Sequence, residues 1–171
     1  MRHSNCWSLS AFMGPWTLVP RRYWHAITIV LSFSIVALPA VAEPTAGWKA
    51  FTAGDHIKAE SIWRPLAEQG DLNAAFGMGV LAQSRDQLED AARWYEQAAR
   101  AGLTSAQVLL GSMYIDGRGV TRDAVRAYAW MNRATLDGHA NAERARNAVG
   151  AALSAAQLAE AEALSLTLRN P

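Results

Sequence analysis

Cysteine is nearly absent from this chain: its 171 residues contain one, Cys6, near the amino terminus. Histidine is also scarce, with four residues, and the first 42 positions contain no Asp or Glu. The region after position 42 therefore has no disulfide, no cysteine nucleophile and no thiolate ligand for a metal ion. It has to be stabilised by side-chain packing alone.

The first 42 residues have the composition of a secretory signal peptide. Arg21 and Arg22 precede an uncharged stretch at residues 26–38, which is too short to span a bilayer comfortably. Small residues then occupy the minus-three and minus-one positions of a cut between Ala42 and Glu43. The pattern predicts cleavage after Ala42 and export to the periplasm or the medium.

Two alternatives concern this leader. Translation from Met13 would give a leader of more ordinary length, and Met13 is a possible true start. An uncleaved leader would instead anchor the protein in the inner membrane, because residues 23–42 carry no charged side chain. We otherwise expect no contact with the membrane.

The remaining residues, 43–171, are long enough to form one folded domain. Without Arg2, Arg21 and Arg22, 13 basic residues face 15 acidic ones, so the net charge is −2. A nucleic-acid partner is not expected from that balance.

A short motif recurs three times in this domain. Gly70, Gly102 and Gly138 lie 32 and 36 residues apart, and each is followed four residues later by an alanine, namely Ala74, Ala106 and Ala142. A period in this range is typical of stacked helical hairpins. We predict an all-α fold, a short right-handed α-solenoid.

Further positions agree when the copies are aligned on these glycines. Small residues match small ones and large residues match large ones, as interlocking helices require. The matched sets are Ala59, Ala91 and Ala127; Trp63, Tyr95 and Met131; Ile62, Trp94 and Trp130; and Gly79 with Gly111.

The same alignment divides the domain. We expect a partial repeat at about residues 54–70, repeats at 71–105 and 106–141, and capping helices at 142–171. Within the last full repeat, Gly117 and Gly119 provide a turn with positive φ between its two helices. Ser154 and Gln157 form a capping-box pattern at the start of the final helix.

These residues resemble the Sel1-like repeat, a relative of the tetratricopeptide repeat, over about residues 54–147. The copy that matches best has Ala106, Leu110, Gly111, Tyr114, Gly117, Gly119, Val120, Asp123, Ala127, Trp130, Ala134 and Gly138. The copy before it has Ala74, Gly79, Ala91, Trp94, Tyr95, Ala98, Ala99 and Gly102.

The resemblance implies a helical-repeat scaffold that binds a protein or peptide partner, without catalysis and without a cofactor. Some exported members of the family resemble β-lactam-binding or hydrolysing proteins that are rich in cysteine, and residues 43–171 contain none. This lack of cysteine separates the chain from those members. A β-lactam- or peptidoglycan-related hydrolase and a cell-wall glycan-binding module are kept as alternatives. A homo-oligomer is also open.

Two groups of residues are candidates for partner contact. In solenoids of this kind the first helix of each pair lines the concave side, where an apolar groove would suit a peptide. Its candidate residues are Phe76, Val80, Val108, Leu109 and Ser112. The second group, Arg122, Arg126 and Arg133, is spaced to lie on one side of a helix and would face an acidic partner.

Other residues are interpreted as structural. His56 and His139 have no second ligand one helical turn away, so we expect no metal site. Trp63, Trp94 and Trp130 fall near core positions, whereas Trp48 lies outside the strict repeat and is expected to be more exposed. We find no motif of a catalytic nucleophile or a phosphate loop.

Overall fold

The computed structural model describes residues 44–168, so the leader and its cleavage site lie outside the described residues. Within 44–168 the chain forms eight α-helices and no strand. They are α1 (Pro44–Thr52), α2 (His56–Glu68), α3 (Leu72–Ser84), α4 (Leu88–Arg100), α5 (Thr104–Asp116), α6 (Ala124–Leu136), α7 (Ala142–Gly150) and α8 (Ala155–Thr167). The predicted all-helical hairpin fold is confirmed.

Three helices begin at an aspartate that caps them. The carboxylates of Asp55, Asp71 and Asp123 each accept a hydrogen bond from the backbone N–H three residues later, at 3.0, 2.7 and 3.0 Å respectively. Such a cap satisfies one of the N–H groups that a helix start leaves without a partner. The predicted capping box between Ser154 and Gln157 is present at the start of α8.

The glycines that define the repeat end the second helix of each hairpin. Gly70, Gly102 and Gly138 have φ of 92°, 100° and 87°, and their backbone N–H groups bond back to the preceding helical turn. This left-handed conformation is the usual end of a helix and is strained for other residues. It explains why the glycine is the most regular element of the sequence pattern.

Large side chains of one helix pack directly onto glycines of the helix before it. Trp63 covers Gly47, Tyr95 covers Gly79 and Met131 covers Gly111, and a Cβ added at any of the three glycines would touch the covering side chain. All three large side chains are at most 1% exposed. The predicted interlocking of small and large residues is therefore confirmed.

The hairpin α1–α2 follows the same rule as the later ones. Gly47 and Trp63 are 16 residues apart, as are Gly79 and Tyr95, and the fully buried Ala59 corresponds to Ala91. The sequence predicts a shortened first pair of helices at residues 45–52 and 55–68, although the partial repeat was bounded at about residue 54, and the structure has both helices. The repeated contact thus extends the pattern to the start of α1.

Consecutive helices from α1 to α7 pack against each other, and α8 packs against α6. One hydrophobic cluster extends from α1 to α6 and reaches Leu168. Trp48 is more exposed than the buried Trp63 and Trp130, as expected, but it still packs in the stack: its ring lies 4.8 Å from that of Trp63 and 6.1 Å from that of Phe76. Trp48 is half-buried because α1 is an ordinary member of the stack.

Candidate functional site

The apolar residues predicted for partner contact on α3 and α5 are only partly accessible. Phe76, Val80, Val108 and Leu109 are all half-buried. The ring of Phe76 lies 5.6 Å from that of Tyr95, so much of its surface is used inside the stack. Ser112, also half-buried, donates a hydrogen bond from Oγ to the carbonyl oxygen of Val108 at 3.0 Å. These positions remain a prediction, with limited area to offer a partner.

The three arginines predicted as a stripe have different surroundings. Arg122 and Arg126 are exposed and lie around the same surface depression beside Tyr114. Arg133 lies outside that depression. Its side chain is 14% exposed, and it is paired with Asp137 through two hydrogen bonds. The hydrogen bond to Asp137 raises the pKa of Arg133. The structure thus brings together two of the three.

Arg133 and Asp137 belong to a polar network in the interior. Asp137 accepts a hydrogen bond of 3.0 Å from Nε2 of Gln107, which is fully buried at the start of α5. The same Nε2 donates to the carbonyl oxygen of Ala99 at 3.2 Å. The network ties α4, α5 and α6 together, which is a structural role for Arg133.

An apolar groove of about 420 Å³ opens where α5, α6 and α7 meet. We call it the apolar groove, and it is lined by Tyr114, Ile115, Arg122, Ala124, Ala145, Ala148, Val149 and Ala152. Ala124, Ala148 and Ala152 are exposed. Arg122 is the one lining residue that carries a charge at neutral pH.

Sequence reasoning missed the α7 side of this groove. Ala145, Ala148, Val149 and Ala152 are spaced i, i+3, i+4 and i+7, which places them on one face of a helix. That spacing was visible in the sequence. It was overlooked because residues 142–171 were interpreted as a polar cap.

The turn that carries Arg122 is held firmly. Gly117 and Gly119 have φ of 71° and 69°, as predicted. Gly119 lies against the backbone of Leu88, so closely that a Cβ would overlap it, and the N–H of Asp123 bonds to the carbonyl oxygen of Tyr114 at 3.0 Å. The backbone at Arg122 is therefore held in place at the edge of the groove.

A second, polar groove of about 460 Å³ lies between α4, α6 and α8. We call it the polar groove, and its lining includes Glu96, Arg100, Tyr114, Asp123, Val125, Arg126, Trp130, Glu160, Leu164 and Leu168. Charged side chains of both signs thus surround aromatic and aliphatic ones. The groove is built from the second helices of successive hairpins.

The arginines of the polar groove cover its aromatic rings. The Arg100 guanidinium lies 6.0 Å from the centre of the Trp130 ring, and that of Arg126 lies 5.7 Å from the Tyr114 ring. Arg100 donates twice to Glu96, at 3.0 and 2.8 Å. A hydrogen bond of 3.3 Å to the Tyr114 hydroxyl raises the pKa of Arg126.

The histidines lie apart from both grooves. His56 stacks on Phe51 with ring centres 5.0 Å apart, and His139 is half-buried just after α6. Residues 44–168 contain no group of three or more His, Cys, Asp or Glu side chains that could hold a metal ion. Nor does this part of the chain include a helix with the length and hydropathy needed to span a membrane.

Comparison with known proteins relates the chain to one repeat family. The Sel1 repeat model matches residues 73–103 and 104–139, which cover α3 to α6 apart from Leu72. The chain is also similar to c5321, a protective antigen present in uropathogenic Escherichia coli strains and displaying an SLR fold. The TM-score is 0.68 at 35% sequence identity over 73% of this chain.

The matched region is a fraction of that antigen, because the chain covers 28% of its length. No match among curated proteins was found. The likeness therefore concerns the repeat and its packing, and says nothing about the activity or partners of a longer protein.

Proposed function

We propose that this chain, which carries Sel1 repeats at residues 73–103 and 104–139, is an exported, non-catalytic scaffold that binds a protein or peptide partner. Sel1-like repeats are helical scaffolds of the protein-interaction type. The proposal adds export and a specific binding surface. Its mechanism is the presentation of a preformed surface, with no covalent step.

The observation that carries the proposal is the apolar groove. Three of its alanines are exposed although they lie beside the buried core, and Ile115 and Val149 are only half-buried. Burial of apolar surface by a partner stabilises the complex by roughly 25 cal/mol per Å² removed from water. A concave apolar site on rigid helices is the kind of site that binds a peptide or a partner helix.

Site-specific photocrosslinking tests the proposed surface in the full chain. A photoreactive amino acid at Ala148 lies in the apolar groove, and the same residue at Ala101, exposed at the end of α4, is the matched control. We expect discrete adducts with envelope proteins from position 148 and weak or no adducts from position 101. Equal labelling from both positions would exclude this groove as the docking surface.

Export is proposed from the leader. Arg21 and Arg22, the uncharged stretch 26–38 and the small residues before Glu43 support it. Fractionation of cells expressing the full chain, followed by amino-terminal sequencing, tests the idea. A soluble periplasmic or secreted species that begins at Glu43 is expected. A membrane-bound species with an intact leader would instead favour the inner-membrane anchor.

The polar groove supports one second candidate, a cell-wall glycan-binding or hydrolysing activity. Glu96 and Glu160 both line it, and paired carboxylates are the usual machinery of glycoside hydrolysis. Stacking of a sugar ring on Trp130 is not favoured, because this side chain is 2% exposed and lies beneath Arg100. Release of fragments from purified peptidoglycan, or opening of a β-lactam, by the processed chain would support this candidate if Glu160→Gln abolished it.

A further inference from the structure

The walls of the apolar groove are made of small side chains. Four of its eight lining residues are alanines, contributed by α6, by α7 and by the turn after α7. Inside the stack, glycines at the helix contacts are covered by a large residue of a neighbouring helix, as Gly79 is by Tyr95 and Gly111 by Met131. The apolar groove has small walls of the same kind, but they are open to solvent.

The volume of the groove sets the size of what fits. At about 420 Å³ it has room for more than one large side chain, although part of this space is open to solvent. Its aliphatic and aromatic lining offers few polar groups to a small hydrophilic ligand. A partner segment that inserts large apolar side chains would complete the packing as the chain's own helices do.

Arg122 adds a charge requirement at the edge of the groove. Arg64, Arg85, Arg93, Arg100, Arg126, Arg133 and Arg146 each form an ion pair. Arg122, like Arg118 and Arg144, forms no ion pair among the described residues; it is exposed, and it is the one of the three that lines the apolar groove. Because Gly117 and Gly119 fix the preceding turn, the backbone from which the Arg122 side chain extends is already in place before a partner arrives.

We infer that the apolar groove binds an acidic amphipathic segment of a partner protein, one that carries a large apolar side chain and an Asp or Glu within about one helical turn of it. The apolar side chain fills the alanine-walled space, and the carboxylate pairs with Arg122. An arginine positions a carboxylate through parallel hydrogen bonds, so it selects the charge and orientation of the segment. This inference rests on the proposed function, whose partner it specifies.

Selection from a random peptide display library tests the inference on the intact processed chain. Sequences enriched on the wild-type protein are expected to combine Leu, Ile, Phe or Trp with Asp or Glu three or four positions away. Selection on Arg122→Glu is expected to replace the acidic position with Lys or Arg. The inference would be overturned if the enriched peptides lacked a preferred Asp or Glu and if selection on Arg122→Glu enriched the same sequences.

Two further variants locate the binding. Ala148→Glu places a charge inside the groove and is expected to abolish binding of the enriched peptides, measured by fluorescence polarisation. Ala163→Glu, exposed on α8 and outside the groove lining, is the matched control and is expected to bind as the wild type does. Circular dichroism confirms that each variant is folded.

Charge reversal gives a quantitative readout. Arg122→Glu is expected to weaken an enriched acidic peptide about tenfold or more, and the same peptide with Lys at the acidic position is expected to recover most of that loss on this variant. If peptides bind but ignore both Ala148→Glu and Arg122→Glu, the inference fails while peptide binding elsewhere on the scaffold stands. If no peptide binds the wild type, both proposals fail.

Discussion

Gly79 lies so close to Tyr95 that a Cβ at position 79 would stand 2.5 Å from Cδ1 and from Cε1 of the ring. Tyr95 is 1% exposed, so its ring has little free space into which it could move to avoid a new Cβ. The contact joins the two helices of one hairpin. It is the clearest case of the small-to-large packing that repeats through the stack.

We therefore expect Gly79→Ala to destabilise the protein, although replacing glycine by alanine within a helix ordinarily stabilises it by about 0.5–1 kcal/mol. Overpacking of this kind costs about 1–3 kcal/mol. Urea denaturation followed by circular dichroism measures the change. In a double-mutant cycle with Tyr95→Leu, the cost of Gly79→Ala should shrink or reverse, because the smaller side chain leaves room. An unchanged cost in the Tyr95→Leu background would contradict the steric explanation.

How far the sequence predicted this structure depends on the residue considered. Gly70, Gly102 and Gly138 lie at helix ends where positive φ is required, so their spacing revealed the hairpins. Gly47 was overlooked because it lies inside a helix, where its role depends on the Trp63 ring that covers it. A glycine that is required by a contact between helices is harder to recognise in the sequence than a glycine that is required by a turn.

The candidate site was less predictable for a related reason. The spacing of Arg122, Arg126 and Arg133 predicted one helical face, but α6 begins at Ala124, so Arg122 lies in the turn before it. Spacing also does not show that Asp137 and Gln107 form a buried network that uses Arg133. Likewise, the α7 face of the apolar groove depends on which neighbours leave Ala148 uncovered. Burial and pairing are properties of the assembled stack.

The turn before α6 provides a second prediction, which compares its two glycines, Gly117 and Gly119, with Gly54 in the turn between α1 and α2. All three have similar positive φ. Gly54 has φ of 79° and no neighbouring atom within 4 Å of the place a Cβ would occupy, whereas at Gly119, with φ of 69°, a Cβ would overlap the backbone of Leu88. Gly54→Ala should therefore cost about 1 kcal/mol, from backbone strain alone.

Gly119→Ala should cost clearly more, because backbone atoms of another helix have to move. Gly117→Ala is expected to fall between the two, since its nearest contact is the Arg122 Cβ at 3.3 Å. Thermal unfolding of the three variants checks the order. Equal losses for Gly54→Ala and Gly119→Ala would mean that the turn does not pack on α4 as described.

The network of Gln107, Arg133 and Asp137 provides a third prediction. The side chains of Arg133 and Asp137 are 14% and 13% exposed, so removing one charge leaves the other poorly solvated. Asp137→Ala is expected to destabilise the protein by roughly 2 kcal/mol or more, because it leaves Arg133 without this carboxylate and Gln107 with one acceptor fewer.

Gln107→Leu is the matched variant. Oε1 of Gln107 is buried without a hydrogen-bond partner among residues 44–168, so leucine removes an unfavourable group together with the bonds from Nε2. We expect this replacement to change the free energy of unfolding much less than Asp137→Ala does. A larger loss for Gln107→Leu would show that the amide, and not the ion pair, dominates the network.

Tyr95 provides a fourth prediction, on alkaline stability. Burial raises the pKa of Tyr95 to about 12. Between about pH 10, the ordinary pKa of the phenol, and about pH 12, the unfolded chain releases the phenolic proton while the folded chain retains it. The unfolded state then binds fewer protons, so the free energy of unfolding falls as pH rises. The stability contributed by the neutral phenol is fully present below this window and lost through it.

Tyr95→Phe removes this titration and keeps the ring over Gly79. The variant also loses the 2.7 Å hydrogen bond from the Tyr95 hydroxyl to Oε1 of Gln83, so near neutral pH it should be less stable than the wild type by about 1 kcal/mol or less. As pH rises above about 10, the difference between the two proteins should narrow and then change sign, because only the wild type carries the extra dependence from residue 95, and its loss between about pH 10 and about pH 12 exceeds about 1 kcal/mol. Urea denaturation at a series of pH values measures both free energies. Parallel curves through this whole window would show that Tyr95 already ionises in the folded protein at its ordinary pKa, and hence that its hydroxyl is not shielded from water.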